Sequence, residues 1–233
     1  MTMPKNLVCF LLLFMLCKVI FSQTRYGLKA GLVISAPRLA NNLPSPSGPN
    51  IESPNAGFYV GGVAGFNVRN HVIIRPELSY LSIRYTETND RIVILIPIQT
   101  RLNYLALNLD VGWQGAVGRG NLQITAGPYL GRGLGGQWKY DGSLGKSSGH
   151  MEPGTAPALL GKDRYFNPLD YGVNFCVGYQ LNQFIPCLNY LVGLENTQPY
   201  YVNNRNLFRD QIVTKNRTLQ IGLTYLFRRL KKS

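Results

Sequence analysis

Along residues 216–227, NRTLQIGLTYLF, large apolar side chains recur at Leu219, Ile221, Leu223, Tyr225 and Phe227, with Thr218, Gln220, Gly222 and Thr224 between them. A two-residue period of this kind is the signature of a strand whose two faces meet different surroundings. Seven further segments repeat it: 25–36, 57–68, 71–86, 102–114, 121–132, 170–181 and 185–196. In 102–114, for example, Leu105, Leu107, Leu109, Val111 and Trp113 alternate with Ala106, Asn108, Asp110 and Gly112. Within 71–86 the phase slips near Leu81, which predicts a bulge there or a position beyond a membrane.

Each segment has about the length, roughly 9–11 residues, that a tilted strand needs to cross a bilayer. The connections alternate between long (37–56, 87–101, 133–169, 197–215) and short (69–70, 115–120, 182–184). Short turns on one side and long loops on the other are the pattern of outer-membrane barrels. The expected fold is therefore all-β: a closed eight-stranded antiparallel up-and-down transmembrane β-barrel. A water-soluble barrel would turn Gly27, Gly31, Gly61, Gly65, Gly127, Gly172 and Gly178 toward solvent, where charged residues normally crowd. A narrow lumen suits those glycines better, because they leave room for Tyr59, Tyr129, Arg75 and Glu77. Tyr26, Phe58, Trp113, Tyr171, Tyr179 and Tyr225, near strand ends on the opposite face, match interfacial girdles.

Composition sharpens this picture. Only 15% of residues are charged, yet the net charge is +13. No recognition-helix pattern accompanies the basic balance, so nucleic acid is not an expected partner. Residues 1–22 read as a cleaved export signal, with Lys5 ahead of the apolar run Leu7–Leu16, and residues 23–233 as the barrel domain. The most apolar later run, RIVILIPIQ (91–99), is too short for a membrane helix. Location in a bacterial outer membrane with both termini periplasmic follows, with outer-membrane lipid as the surrounding partner.

The segments YGLKAGL, NYLALNLDV, DYGVNFCVGYQL and NRTLQIGLTYLF, together with the export signal, resemble the PorT-like outer-membrane β-barrel family of Bacteroidetes. The resemblance covers nearly the whole mature chain and carries architecture more than activity. It implies a small barrel, in some members linked to type IX protein secretion. It also implies that Phe227 is the terminal signal read by the barrel-insertion machinery, although RRLKKS follows it here.

The chemistry-bearing residues fall in few places. Lys29, Arg75, Glu77, Asp110 and Glu195 lie on the expected lumen face, where buried charges need partners. They are expected to form a paired network that fills the lumen rather than an ion path. Cys176 and Cys187 face each other if the intervening turn is Leu181–Asn182, and a disulfide could then form. A turn at Asn182–Gln183 would leave them diagonal and free. GRGLGG (131–136) matches G-x-G-x-x-G but is followed by no helical pattern, so no cofactor is expected. His71 and His150 are the two histidines, and neither has a convincing serine–acid arrangement, Ser147 and Ser148 included. Lys139, Lys146, Lys162, Arg164, Arg205, Arg209 and Lys215 fall in the long connections, where they could meet lipid phosphates or a protein partner. The expected function is non-enzymatic: a structural or surface-interaction barrel. An accessory role in protein secretion is the alternative, and a lipid-modifying surface enzyme a more remote one.

Overall fold

The computed structural model describes residues 24–35, 37–41, 50–69, 71–89, 96–142, 145–157, 162–199 and 212–227. The expected export signal, residues 1–22, lies outside them. The strands are β1 (Thr24–Ser35), β2 (Arg38–Asn41), β3 (Asn50–Arg69), β4 (Val72–Asn89), β5 (Ile96–Val117) and β6 (Gly120–Gly142). They continue with β7 (Gly145–Pro153), β8 (Arg164–Phe166), β9 (Leu169–Gln180), β10 (Phe184–Gly193), β11 (Ile212–Lys215) and β12 (Arg217–Leu226).

The expectation of a closed eight-stranded antiparallel up-and-down barrel is corrected. Ten strands share one sheet, in the order β5-β4-β3-β1-β12-β10-β9-β6-β7-β8, and β2 pairs with β11 separately. Although β6 also pairs with β5, the sheet forks along β6 and is not symmetric. Residues 121–132 of β6 pair with β9, whereas residues 136–142 pair with β7. The last pair, β7 with β8, is parallel. The physical reason is length. At 23 residues β6 is far longer than a bilayer crossing requires, and its surplus edge recruits new partners.

Burial along the spanning parts of the strands is inverted relative to a soluble protein. Leu32, Leu107 and Phe175 are 57%, 51% and 51% exposed, while Asp110, Asn174 and Asn189 are 0% exposed. Apolar side chains on the outer wall and amides within are what lipid outside and a buried interior select. Aromatic pairs mark the edges of the apolar band. Phe58 and Tyr80 lie 5.9 Å apart toward the long-loop end. Phe184–Tyr225 and Tyr225–Phe227, at 5.3 and 5.8 Å, lie at the end of the short turns. The Phe227 backbone N–H donates to the Tyr26 carbonyl at 2.8 Å, which ties the described ends of the chain together at that end.

No bulge residue interrupts β4 near Leu81; the irregularity there belongs to β3, whose register with β4 shifts between Asn55 and Phe58, opposite Arg84 and Ser82. β4 pairs with β5 from Val72↔Trp113 to Asn89↔Ile96 in unbroken register. What changes is the chemistry of the inward face. Below this point it carries Arg75 and Glu77. Above it come Leu81, Ile83 and Tyr85, all buried. They pack with Leu102, Tyr104, Trp138, Met151 and Phe166 into an apolar core inside the long-loop end. A register shift does occur between β5 and β6, at Asn103/Tyr104, where Gly135 adopts φ +115°. That bulge reverses the facing of β6: Leu130 and Leu134 point outward below it, Trp138 inward above it. The segments expected as long loops are thus partly strand, notably 50–56, 96–101, 133–142 and 145–153.

Candidate functional site

The lumen within the apolar band is crossed by one connected group of charged side chains. Lys29 projects from β1, Arg75 and Glu77 from β4, and Asp110 from β5 directly opposite Arg75. Lys29 Nζ lies 2.6 Å from Glu77 Oε2, and Arg75 Nε lies 2.8 Å from Glu77 Oε1. Arg75 Nη2 stands 3.7 Å from Asp110 Oδ2. Two cations and two carboxylates balance, so the cluster needs no counter-ion.

Neutral partners extend the group across the lumen. Lys29 donates to Asn189 Oδ1 on β10 at 3.2 Å, and Arg75 donates to Gln123 Oε1 on β6 at 3.1 Å. Asn174 on β9 donates to both Asp110 oxygens, at 3.1 and 2.9 Å. Six strands of the sheet are therefore tied through one hydrogen-bonded cluster. Tyr59 lies beneath Lys29, whose ammonium sits 5.5 Å from the ring centroid. Gly31 and Gly222 face each other across β1 and β12. A Cβ on either glycine would strike the Tyr59 ring or hydroxyl. Their role is to admit that ring. Toward the short turns, the remaining internal cavity among Arg75, Gln123, Gln180 and Thr224 is about 20 Å³, space for about one water.

Glu195 stands apart from these four. It lies beyond β10 at the long-loop end and accepts a hydrogen bond from Asn167 Nδ2 at 2.9 Å. A second polar group that was not legible in the sequence sits nearby. Tyr129 donates to both oxygens of Asp170 at 3.3 Å, and Asn216 Nδ2 donates to Asp170 Oδ2 at 2.8 Å. Asp170 falls on the inward phase of its segment, and that phase is the one signal that could have found it.

The turn between β9 and β10 is Asn182–Gln183, closed by a Leu181↔Phe184 bridge with Asn182 at φ 54°. Cys176 consequently pairs with Asn189, and Cys187 with Gly178. The two cysteines are diagonal, buried and free, so the disulfide allowed by the other turn is not formed. Arg75 Nη2 instead donates to Cys176 Sγ at 2.8 Å.

His71 lies at the β3–β4 turn, its ring stacked 6.1 Å from that of Trp113. His150 sits in β7 opposite Gln137, and its backbone N–H donates to Asp163 at 3.2 Å. Among the described residues no group of three His, Cys, Asp or Glu side chains could hold a metal ion. GRGLGG runs through the bulged part of β6 rather than into a helix.

The cations expected in loops separate by environment. Lys146 pairs with Asp141 at 2.9 Å on the exposed β6–β7 hairpin. Arg164 stacks over the Trp138 ring at 4.6 Å, and the Trp138 indole donates to the Lys162 carbonyl at 3.1 Å. Both border a cavity of about 490 Å³ that also contains Tyr85 and Glu87. Burial there raises the Glu87 carboxyl above its usual range, with Arg164 acting against it. Lys139 lies on the outer face of β6 and Lys215 ends β11. Arg205 and Arg209 lie outside the described residues.

Residues 21–198 match the family model described as outer membrane protein beta-barrel domain. The chain belongs to this family. It is an outer-membrane protein, in keeping with its inverted burial. A search of curated proteins found no match. Among solved structures, it is similar to the Yersinia pestis attachment invasion locus protein Ail, at 13% identity and a TM-score of 0.39, with 88% of this chain and 99% of Ail covered. Neisserial surface protein A gives 11% identity, coverage of 88% and 100%, and a TM-score of 0.42. OprG of Pseudomonas aeruginosa gives 8%, 88% and 96%, and 0.42.

Proposed function

We propose that this family member is a non-conducting outer-membrane protein that works through its external end, as a structural or surface-interaction component. The observation that carries the reading is the Lys29–Glu77–Arg75–Asp110 chain, whose side chains are at most 6% exposed and span the lumen. A narrow barrel-like sheet filled by its own side chains leaves no path for a hydrated solute. Under this reading, the strand surface and loops beyond the apolar band carry the interactions, and Phe227, on the outer wall, serves insertion.

Planar-bilayer recording on the purified protein tests the proposal. It predicts no sustained conductance at neutral pH, and a steady single-channel current would overturn it. A PorT-like placement within the family, with an accessory role in export, is supported by the segments quoted above. Comparing proteins released by wild type and by a deletion strain tests it: loss of a defined exported set supports the role, and an unchanged set removes it.

A further inference from the structure

Just beyond the apolar band, the outer wall of β3, β4, β5 and β6 carries a row of side chains fixed by strand register. Asn55 pairs with Arg84, Arg84 with Arg101, and Arg101 with Gln137. One position further out, Gln99 pairs with Lys139. All six line a cleft of about 450 Å³. Arg84, Gln99, Gln137 and Lys139 are exposed, and Arg101 and Asn55 are half-buried.

Two arginines directly opposite each other on neighbouring strands repel, and sheets ordinarily avoid such pairs. Nothing among the described residues offsets the repulsion. Among the described residues the ion pairs are those of the lumen and Lys146–Asp141, and no carboxylate lines the cleft. Arg101 Nε donates to Ser82 Oγ at 3.0 Å, which anchors the guanidinium by one edge and leaves its two terminal nitrogens free. A preset Arg fork beside a second Arg, a Lys and two amides matches a phosphate group, which accepts several charge-assisted hydrogen bonds.

The height of the row selects the source of that phosphate. Tyr80 and Leu105, on the outer face of the same strands, belong to the apolar band. Between them and the arginine row stand Ser82 and Asn103. At about 3.3 Å per residue on a tilted strand, the row is about 10 Å further along the membrane normal. Long Arg and Lys side chains at that height reach the lipid headgroup layer.

We infer that Arg84, Arg101 and Lys139, assisted by Gln99, Gln137 and Asn55, form a binding site for the phosphate of an outer-leaflet glycolipid. The inference rests on the surface-interaction reading above and names its partner. The bulge at Gly135 is part of the site, since it turns Gln137 and Lys139 outward.

Binding to the full chain in detergent micelles is measured with a fluorescent bisphosphorylated lipid A as probe. Dephosphorylated lipid A, inorganic phosphate and polyglutamate serve as competitors. Each charge is expected to contribute about fivefold, so the combined Arg84→Gln, Arg101→Gln and Lys139→Gln variant should bind about a hundredfold more weakly. Lys146→Gln should bind as wild type. Arg84→Lys with Arg101→Lys, which keeps charge but loses the fork, should fall between, and it remains informative if the triple variant fails to fold. Unchanged binding by the triple variant would overturn the inference. So would equal competition by dephosphorylated lipid A, by inorganic phosphate at matched phosphate concentration, or by polyglutamate. Bilayer conductance of the same preparations is read separately, so the non-conducting reading can fail while the glycolipid site stands, or the reverse.

Discussion

The two halves of β4 obey opposite rules. Between Val72 and Tyr80 the outward positions are apolar, and the inward ones after Ile73 are Arg75, Glu77 and Ser79. Between Leu81 and Glu87 the inward positions are Leu81, Ile83 and Tyr85, and the opposite face carries exposed Arg84 and Ser82, which is buried and bonded to Arg101. Pairing with β5 is continuous through both halves, and the shift of register with β3 beside Ser82 leaves the alternation of β4 itself unbroken. The difference lies in what touches the outer wall. Lipid outside forces apolar side chains outward and leaves the interior to polar groups such as the Lys29–Glu77–Arg75–Asp110 chain. Beyond the lipid, water returns the strand to ordinary amphipathic logic, and the same sheet carries an apolar core within.

The two halves should therefore fail differently. Glu77→Ala strips Lys29 and Arg75 of their shared partner, and breaking a buried ion pair in this way costs about 3–5 kcal/mol. Its check is the urea midpoint for loss of the compact, heat-modifiable band, which should fall sharply. Phe166→Ala removes an edge-to-face partner 5.8 Å from Tyr104 in the external core. A cost of up to about 3–5 kcal/mol is expected. It should act locally, speeding proteolysis of the β6–β7 hairpin while leaving membrane insertion intact. The reverse pattern, with insertion lost and the hairpin still protected, would break the contrast between the halves.

Charge on the outer wall sharpens the contrast. Leu107→Arg, in the middle of the lipid-facing band, should cost about 2–4 kcal/mol. Gln137→Arg, on the outer wall beyond that band, should cost at most about 1 kcal/mol. Equal losses in a bilayer-folding titration would misplace the boundary. The smallest effect concerns the thiols: Cys176 and Cys187 should both alkylate in denatured, non-reduced protein, and an unreactive pair would contradict the turn at Asn182–Gln183.

Much of the spanning half was legible from alternation, because lipid imposes one rule on every strand there. Lys29, Arg75, Glu77 and Asp110 were found as lumen residues on phase alone, and the structure brings these four together. Glu195 shared the phase but not the height, and phase carries no information about height. The external half was less legible. Its strands continue through Ile96–Arg101 and Gly133–Gly142, where composition resembles loops, and the change of wall solvent at Leu81 imitates a change of phase. Gly135 then adds a true reversal that no count of apolar positions reveals. The cysteine register turned on a single residue of turn placement, below the resolution of pattern alone.

The most direct test of this account is site-directed spin labelling along β4 in lipid bilayers, in a background lacking Cys176 and Cys187. Labels at Leu78→Cys, Leu81→Cys, Ile83→Cys and Arg84→Cys are compared for collision with oxygen and with a water-soluble nickel chelate. The account predicts oxygen access at position 78, nickel access at 84, and neither at 81 and 83. Nickel access at 81 and 83, or oxygen access there equal to that at 78, would contradict a filled external core on an unbroken strand.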